Sequence, residues 1–431
     1  MLVTKCRQYL AACGLFVLLL SFSLTGCGVD NEKGSANTSS IAGNSSYVFA
    51  PIKEAGYYAD LRVMPNGEFL VRGKIKDEDV DKSGLVYKVE MNEKQQVSQI
   101  ASIYRGKPIN SEWRDTLNNT YFFAVVAVEY QGDYKKYVFQ GNDMSVCRGL
   151  YGANTIRYKY DEKKKNYGIG YLYDYKEEQK GGRYSQIWID YGDKGQIVKL
   201  SYFNKNGERV SNDSKHYETR LKYDESKELS FPIEVANYGQ DGNLIPDNYG
   251  IAKVVYVYDA KKRLTEVQYF GSDESLAFKK FRGTGDLWDF TEISYTCGAI
   301  TKYEYADDGI MPVKKLFFGK EGQPIAISGN YPCAAIVYTY TNEGRMASKS
   351  MLGTDDMPCT GKWSEASKIV YGYDDNGNLE SVSFYGKDNN RATRDTWPDV
   401  PVSILKFKYD DNHRRIETSY LGIDGKVFLI Q

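Results

Sequence analysis

Nucleophilic catalysis needs a nucleophile, a base and a group that orients the base. This chain has two histidines, His216 and His413. His413 falls in the turn Asp410–Arg414, at a position that similar turns of the chain fill with Gly or Lys, and His216 lies between two strand pairs. Solvent exposure in a turn accounts for both without catalysis. Asp374-Asp375-Asn376-Gly377-Asn378 and Asp307-Asp308-Gly309 gather oxygens, but neither has the spaced ligands and distal Glu of a calcium-binding loop. Turn propensity accounts for them, and no metal or cofactor is expected. Acidic residues are plentiful, yet no pair stands apart from the turns as the acid and base of a glycosidase. Cys147, Cys297, Cys333 and Cys359 follow the N-terminal segment. Bridges Cys297–Cys333 and Cys333–Cys359 are both open, beside unpaired small core residues. The most abundant recognition chemistry is aromatic, with 38 Tyr in 431 residues. Tyr offers an apolar ring with a polar handle, which suits either core packing or a sugar platform.

The elements that must hold these tyrosines are hairpins. Ile369–Asp388, IVYGYDDNGNLESVSFYGKD, reads as strand, tight turn and returning strand. The template recurs seven times, indexed by the Tyr before the first turn: Tyr191, Tyr223, Tyr258, Tyr305, Tyr340, Tyr373 and Tyr409. Successive spacings are 32, 35, 47, 35, 33 and 36 residues. A second marker follows at Phe203, Tyr238, Phe270, Phe318, Leu352, Tyr385 and Leu421, 12 residues on in five copies. A period of this size indicates a repeat architecture. Two residues before each marker Tyr stands Ile189, Leu221, Tyr256, Tyr303, Tyr338, Tyr371 or Phe407, with polar neighbours between. That is a half-buried antiparallel strand with an aromatic inner face. The returning strands alternate less cleanly, which predicts bulges. Because most Tyr sit on the alternating inner face, packing outweighs a glycan platform.

Tyr-x-Tyr-Asp-x-x-Gly-x-Leu, as Tyr371–Leu379, resembles the YD repeat of RHS-type bacterial proteins. Tyr223-Asp224, Tyr258-Asp259 and Tyr409-Asp410 keep the pair; Tyr305-Ala306 and Tyr340-Thr341 lose the Asp. The resemblance covers about residues 185–431 and implies a long twisted β-sheet, often wound into a shell. Family members frequently end in a toxin domain; no such segment follows the last hairpin in this sequence, so a delivered toxin is not expected.

Residues 1–27 read as a secretory signal, with Lys5 and Arg7 ahead of the apolar run Ala11–Leu24. Leu24-Thr25-Gly26-Cys27 resembles a bacterial lipobox. That resemblance implies cleavage before Cys27, its acylation on sulfur and amine, and an extracytoplasmic protein anchored by lipid to the cell membrane or outer membrane. Residues 28–46, rich in Gly, Ser and Asn, read as a flexible tether. Residues 47–184 read as a divergent N-terminal β region: Tyr57–Arg72 as two strands around Pro65-Asn66-Gly67, Leu85–Val89 with Val97–Tyr104 as a pair, Tyr121–Tyr130 as one central strand, and Tyr158-Lys159-Tyr160-Asp161 and Tyr171-Leu172-Tyr173-Asp174 as worn hairpins. Residues 185–431 are the YD-like repeats, with insertions at Gly271–Gly298 and Gly386–Ser403.

Lys and Arg number 56 against 57 Asp and Glu, so nothing here steers toward nucleic acid. The expectation is an all-β protein: an array of antiparallel β-hairpins forming an extended twisted sheet, solenoid or partial shell. Its expected role is a non-enzymatic scaffold or binding surface for proteins at the cell envelope. A glycan or cell-wall binding module and an envelope glycoside hydrolase are the alternatives. Exposed Tyr or Trp in a groove would favour the glycan; two facing carboxylates would favour the hydrolase; a β-surface with only turns exposed would favour the scaffold.

Overall fold

The computed structural model of the chain describes residues 49–430 apart from 83–84, 105, 115–119, 161–166, 182, 225–230, 283–293, 297, 308, 310, 328–331, 343–344, 362–363, 376–377, 397–399 and 411–414. Cys27, the apolar leader and the tether lie outside the described residues, as do Cys297 and His413. The regular structure is almost all strand; two short 3-10 segments, Asp77–Lys82 and Leu150–Gly152, are the helical exceptions among the described residues. Twenty-five strands form one antiparallel sheet that does not close on itself, so the chain is an all-β repeat protein.

From Leu85 onward the sheet is a meander of ten hairpins. Leu85–Met91 pairs with Val97–Tyr104, Val125–Gln131 with Tyr134–Gln140, and Thr155–Tyr160 with Tyr167–Tyr173. Gln186–Tyr191 pairs with Ile197–Phe203, Glu218–Lys222 with Glu234–Tyr238, and Lys253–Tyr258 with Leu264–Phe270. Ile300–Tyr305 pairs with Pro312–Phe318, Ala335–Tyr340 with Met346–Leu352, Lys368–Tyr373 with Leu379–Tyr385, and Ile404–Tyr409 with Arg415–Leu421. Only the start breaks this order. Gly56–Val63 lies between Phe69–Ile75 and Leu85–Met91, and Ala50–Pro51 adds to the far side of Phe69–Ile75. At the other end Val427–Ile430 pairs with Arg415–Leu421.

Three further hairpins precede the seven indexed by Tyr, so the repeat reaches back to Leu85, with Met91, Gln131 and Tyr160 in the marker position. Two expectations need correction here. The two Tyr-x-Tyr-Asp stretches at 158–161 and 171–174 are the two strands of one hairpin, because Tyr-Asp can close a strand at either turn. The apolar run Tyr121–Tyr130 is broken at Ala124. Thr120–Phe123 pairs with Ser111–Arg114 outside the main sheet, while Val125–Gln131 joins it. Trp113 causes the break: its indole N–H donates to the Phe123 carbonyl at 2.9 Å, and its ring is wholly buried between Phe69, Tyr87 and Phe123.

The period-two pattern delivers one apolar face. Ile189, Leu221, Tyr256, Tyr371 and Phe407 are all buried, and burying a side chain of this size stabilises by about 1.5–3 kcal/mol. The returning strands carry the predicted bulges. Val257 faces Glu266 but Tyr258 faces Leu264, leaving Thr265 extra; the same slip precedes Tyr191, Tyr305, Tyr340, Tyr373 and Tyr409. The N-terminal strands differ. Tyr87, Val89 and Ile100 face one core while Val86, Ala101 and Ile103 face another, so both faces are covered. The sheet also coils. Tyr104 donates to the Asn378 side-chain oxygen at 3.4 Å, and the rings of Phe49 and Phe231 meet edge-on at 5.3 Å.

Candidate interaction surface

Every hairpin has two ends, and their chemistry starts from one backbone turn. Among the described residues sixteen five-residue turns, from Met64–Glu68 to Gly422–Lys426, share the same two backbone bonds: the first N–H to the fifth carbonyl, and the fourth N–H to the first carbonyl. The fourth residue is always left-handed, the three-residue loop with an αL bulge that suits a twisted hairpin. Gly holds that position in eight turns, while Gln95, Met144, Glu177, Lys215, Lys262, Glu274, Asp356 and Asn389 hold it in the others. Side-chain oxygens complete the turn. Asp259 and Asp374 accept the N–H four residues on at 2.8 and 2.7 Å, and Thr341 does so at 3.3 Å. This is the work of the Asp in Tyr-Asp.

The Tyr of the pair grips the hairpin before it. The Tyr305 hydroxyl donates to the Leu264 carbonyl at 2.8 Å, Tyr340 to Pro312 at 2.8 Å, Tyr373 to Met346 at 2.9 Å and Tyr409 to Leu379 at 2.9 Å. In each case the acceptor is the first residue of the preceding returning strand. Tyr258 does the same to Pro232 at 3.3 Å. Burial raises all five phenols, those of Tyr340 and Tyr409 to about 12. Cations close the rings: the Arg263 guanidinium lies 4.7 Å over Tyr305 and Arg345 lies 5.5 Å over Tyr373. Arg263 also donates to the carbonyls of Ala306 and Gly309 at 2.9 and 2.8 Å. Tyr191 and Tyr223 pack against the N-terminal core. Five of the seven marker tyrosines thus tie their hairpin to the segment before it, and the other two are packed against the core.

The meander puts all first turns on one rim of the sheet and all second turns on the other. On the first-turn rim most described side chains are polar: Asn92–Gln96, Asp193, Lys194, Gln196, Asp259, Lys261–Arg263, Thr341, Asn342 and Arg345. Among the described residues, thirteen large apolar side chains are exposed, and only Val257 and Ile416 belong to that end of the hairpins. The other eleven lie on the second turns or on segments leaving them: Phe122, Met144, Val146, Tyr175, Tyr249, Phe278, Met357, Ile423, Val427, Phe428 and Ile430. Tyr175 is 71% exposed and Met357 62%. The three two-stranded excursions, at Ser111–Arg114 with Thr120–Phe123, Lys280–Arg282 with Ser294–Thr296, and Arg394–Thr396 with Val400–Val402, also leave the sheet after second turns. The predicted insertions Gly271–Gly298 and Gly386–Ser403 hold two of them.

A shallow groove of about 520 Å³ runs beside this rim, lined by Lys222, Glu234, Tyr238, Asn243, Leu244, Lys253 and Glu274 among others. Lys222 bridges Glu234 at 2.7 Å and Lys253 bridges Glu274 at 2.6 Å. The Lys253 ammonium, hydrogen-bonded to it, holds the Glu274 carboxyl below its ordinary value. The Arg220 guanidinium lies 4.0 Å over Tyr238. No cluster of three metal-ligating side chains occurs among the described residues.

His216 is not exposed, as the sequence reading expected, but buried at 7% exposure. It closes the turn Asn212–His216, with Nε2 2.6 Å from the Asn212 amide nitrogen and its ring 5.7 Å from Tyr202. Burial pushes the imidazole down to about 4. Ile251, which ends the matching turn Asp247–Ile251, is buried in the same way. Cys333 is buried and Cys359 half-buried in one core cluster, and both carry free thiols, as does Cys147. Burial pushes the Cys333 thiol up to about 12. The exposed rim was not legible as a site, although a Gly-x-Asp spacing marks six of the second turns, at Gly141, Gly239, Gly271, Gly353, Gly386 and Gly422.

No known protein family matches the chain, and no curated protein does. Among solved structures, a Photorhabdus luminescens Tc holotoxin pore is similar over 79% of this chain at 10% identity, with a TM-score of 0.24. A TcdB2-TccC3 complex is similar over 85% at 11% identity, with a TM-score of 0.20. The chain spans 18% and 22% of the lengths of those two chains. No helix among the described residues is long and apolar enough to cross a membrane.

Proposed function

We propose that the chain is an extracytoplasmic repeat protein, anchored to a bacterial membrane by lipid on Cys27, that acts without chemistry of its own as a scaffold or binding surface for proteins. The observation that carries this reading is the contrast between the rims. The first turns and the marker tyrosines are consumed in holding hairpins together, while the second-turn rim presents the exposed apolar side chains and the excursions. Exposed apolar groups concentrated on one surface mark interaction sites. The glycoside hydrolase reading is the weaker one: a catalytic acid needs a raised carboxyl, and burial raises that of Asp247, but its oxygen is taken up by the N–H groups of Tyr249 and Ile251 in its own turn. The glycan reading draws support from the groove, where Tyr238 and Leu244 sit among paired charges and the amide of Asn243.

Two experiments test the proposal. A fatty-acid analogue fed to cells making the full chain should label it, and Cys27→Ser should abolish the label; label retained in Cys27→Ser overturns the anchor. The full chain in detergent, presented to envelope proteins, isolated cell wall and a glycan panel, should retain specific proteins. Retention should fall in Met144→Ser/Tyr175→Ser/Met357→Ser and persist in Val257→Ser/Ile416→Ser. Saturable wall or glycan binding that Tyr238→Ala removes, without specific protein retention, would replace this reading with the carbohydrate one.

A further inference from the structure

We infer that the second-turn rim takes a cationic partner, a protein segment whose Lys and Arg side chains lie along the exposed turns. The inference rests on the reading of that rim as the contact surface and adds the chemistry of what occupies it. Charge is the first observation. The chain as a whole is balanced, with 56 Lys and Arg against 57 Asp and Glu. Its nine second turns, from Gly141–Ser145 to Gly422–Lys426, carry 13 acidic side chains against 5 basic ones. Four of the acidic side chains are met by cations of this chain: Glu177 by Lys136 and Arg157, Glu274 by Lys253, Asp356 by Lys314 and Asp424 by Lys426. The other nine, such as Asp143, Asp241 and Asp388, have no ion-pair partner among the described residues. The segments leaving these turns hold Lys and Arg as well, but Arg209 bridges Glu218 at 2.7 Å, Lys180 and Lys279 lie over the rings of Tyr184 and Tyr249, and Arg391 lies over Tyr385. Turn N–H groups hold the carboxyls of Asp241 and Asp388 below their ordinary value, so the turns keep their charge at neutral pH. Such a rim attracts cations and repels both an anionic membrane and its own copy.

The second observation is where the apolar side chains stand. Four second turns carry an exposed one, and each has an Asp beside it in sequence: Asp143-Met144, Asp174-Tyr175, Asp356-Met357 and Ile423-Asp424. A partner has to offer an apolar stem and a positive end within the reach of one residue. A Lys or Arg side chain offers both, because its methylenes cover apolar surface while its charged head stays in water.

The test is binding of the full chain in detergent to two immobilised peptides, one mixing Lys with Leu and the other Glu with Leu. The Lys peptide should bind and the Glu peptide should not, and binding should weaken as salt rises from about 50 to 500 mM. Asp143→Asn/Asp241→Asn/Asp355→Asn/Asp388→Asn removes four charges while the amide oxygens keep the turn caps. It should weaken binding of the Lys peptide at least ~10-fold. On the first-turn rim Glu93→Gln/Asp193→Asn/Asp307→Asn/Asp375→Asn removes as many charges and should leave binding within about threefold. Far-ultraviolet circular dichroism and the unfolding midpoint, unchanged in both variants, exclude misfolding as the cause. A Lys peptide that does not bind overturns the inference, as does equal weakening by the two variants, which would give the effect to net charge alone. Binding to phosphatidylglycerol vesicles would overturn it too. Envelope proteins that ignore salt and the Asp→Asn variant, yet are lost in Met144→Ser/Tyr175→Ser/Met357→Ser, would remove the cationic partner and leave the scaffold reading standing. Protein retention indifferent to both sets of variants removes both.

Discussion

The same five-residue turn recurs at both ends of these hairpins, yet the two ends differ in what surrounds it. At the first turns, Asp259 and Asp374 cap the backbone, Arg263 and Arg345 cover rings, and the marker hydroxyls reach the preceding hairpin. At the second turns, Asp143, Asp241, Asp273, Asp355, Asp388 and Asp424 still accept a backbone N–H two residues on. The tyrosine grip belongs to the first turns, and four of the second turns carry an exposed apolar side chain: Met144, Tyr175, Met357 and Ile423. The buried tyrosine bonds thus stand at one rim, and most of the exposed apolar side chains stand at or beyond the other. Exposed tips cost little when changed, whereas a buried grip does not.

That contrast can be broken most directly at Tyr373. Tyr373→Ala removes a ring packed under Arg345 and a hydroxyl bonded to Met346, and urea denaturation should show a loss of about 3 kcal/mol. An effect below ~1 kcal/mol would mean the grip is not what fastens the hairpins. A comparable loss should come from pH at His216, a buried exception on the second-turn side. Its folded pKa, about 4, lies below the unfolded value of 6.5, so the folded state resists a proton that the unfolded state accepts. Stability is fully present above pH 6.5 and falls as pH drops toward 4, by up to about 3 kcal/mol. In His216→Ile, which copies the residue that ends the matching Asp247–Ile251 turn, unfolding measured from pH 7 to 4 should lose this slope. The turn carboxylates of Asp241, Asp388 and Asp424 are held low by N–H donors, so their contribution is lost only below about pH 4 and does not obscure the histidine.

Smaller changes sharpen the comparison. Tyr409→Phe keeps the ring and deletes the bond to Leu379; the midpoint should report a loss of about 1 kcal/mol. Lys262→Gly relieves a left-handed lysine at φ 62° in the Tyr258 hairpin and should gain up to about 1 kcal/mol, unless loss of backbone entropy cancels it. Met357→Ser on the other rim should change stability by less than about 0.5 kcal/mol, and a larger loss would show that the apolar tips serve the fold.

Much of this was legible in the order of residues alone. The Tyr spacing pointed to the hairpins because a two-residue alternation and a turn must recur together in each copy. The bulges were legible because the strand returning from a three-residue loop must absorb one extra residue, which blurs its alternation. What the spacing could not show was the N-terminal third. There both sheet faces are covered, so Val86 and Tyr87 are buried as neighbours and the alternation disappears. The Ala124 break depended on Trp113, a distant partner that no local pattern reveals. The rim contrast was hidden for another reason: exposure of Met357 or Tyr175 depends on what does not fold back over it, and a sequence pattern records only what does.

The acceptor of the tyrosine grip is a backbone carbonyl, which every residue type supplies. Substitution in one hairpin therefore cannot delete the point at which the next one holds on. Only the donor has to be carried, and the copies from Tyr258 onward bring their own. An array wired in this way can gain, lose or exchange a unit through a single recombination within the gene, without compensating changes in the neighbour that receives it. Such wiring makes the number of units an easily inherited variable.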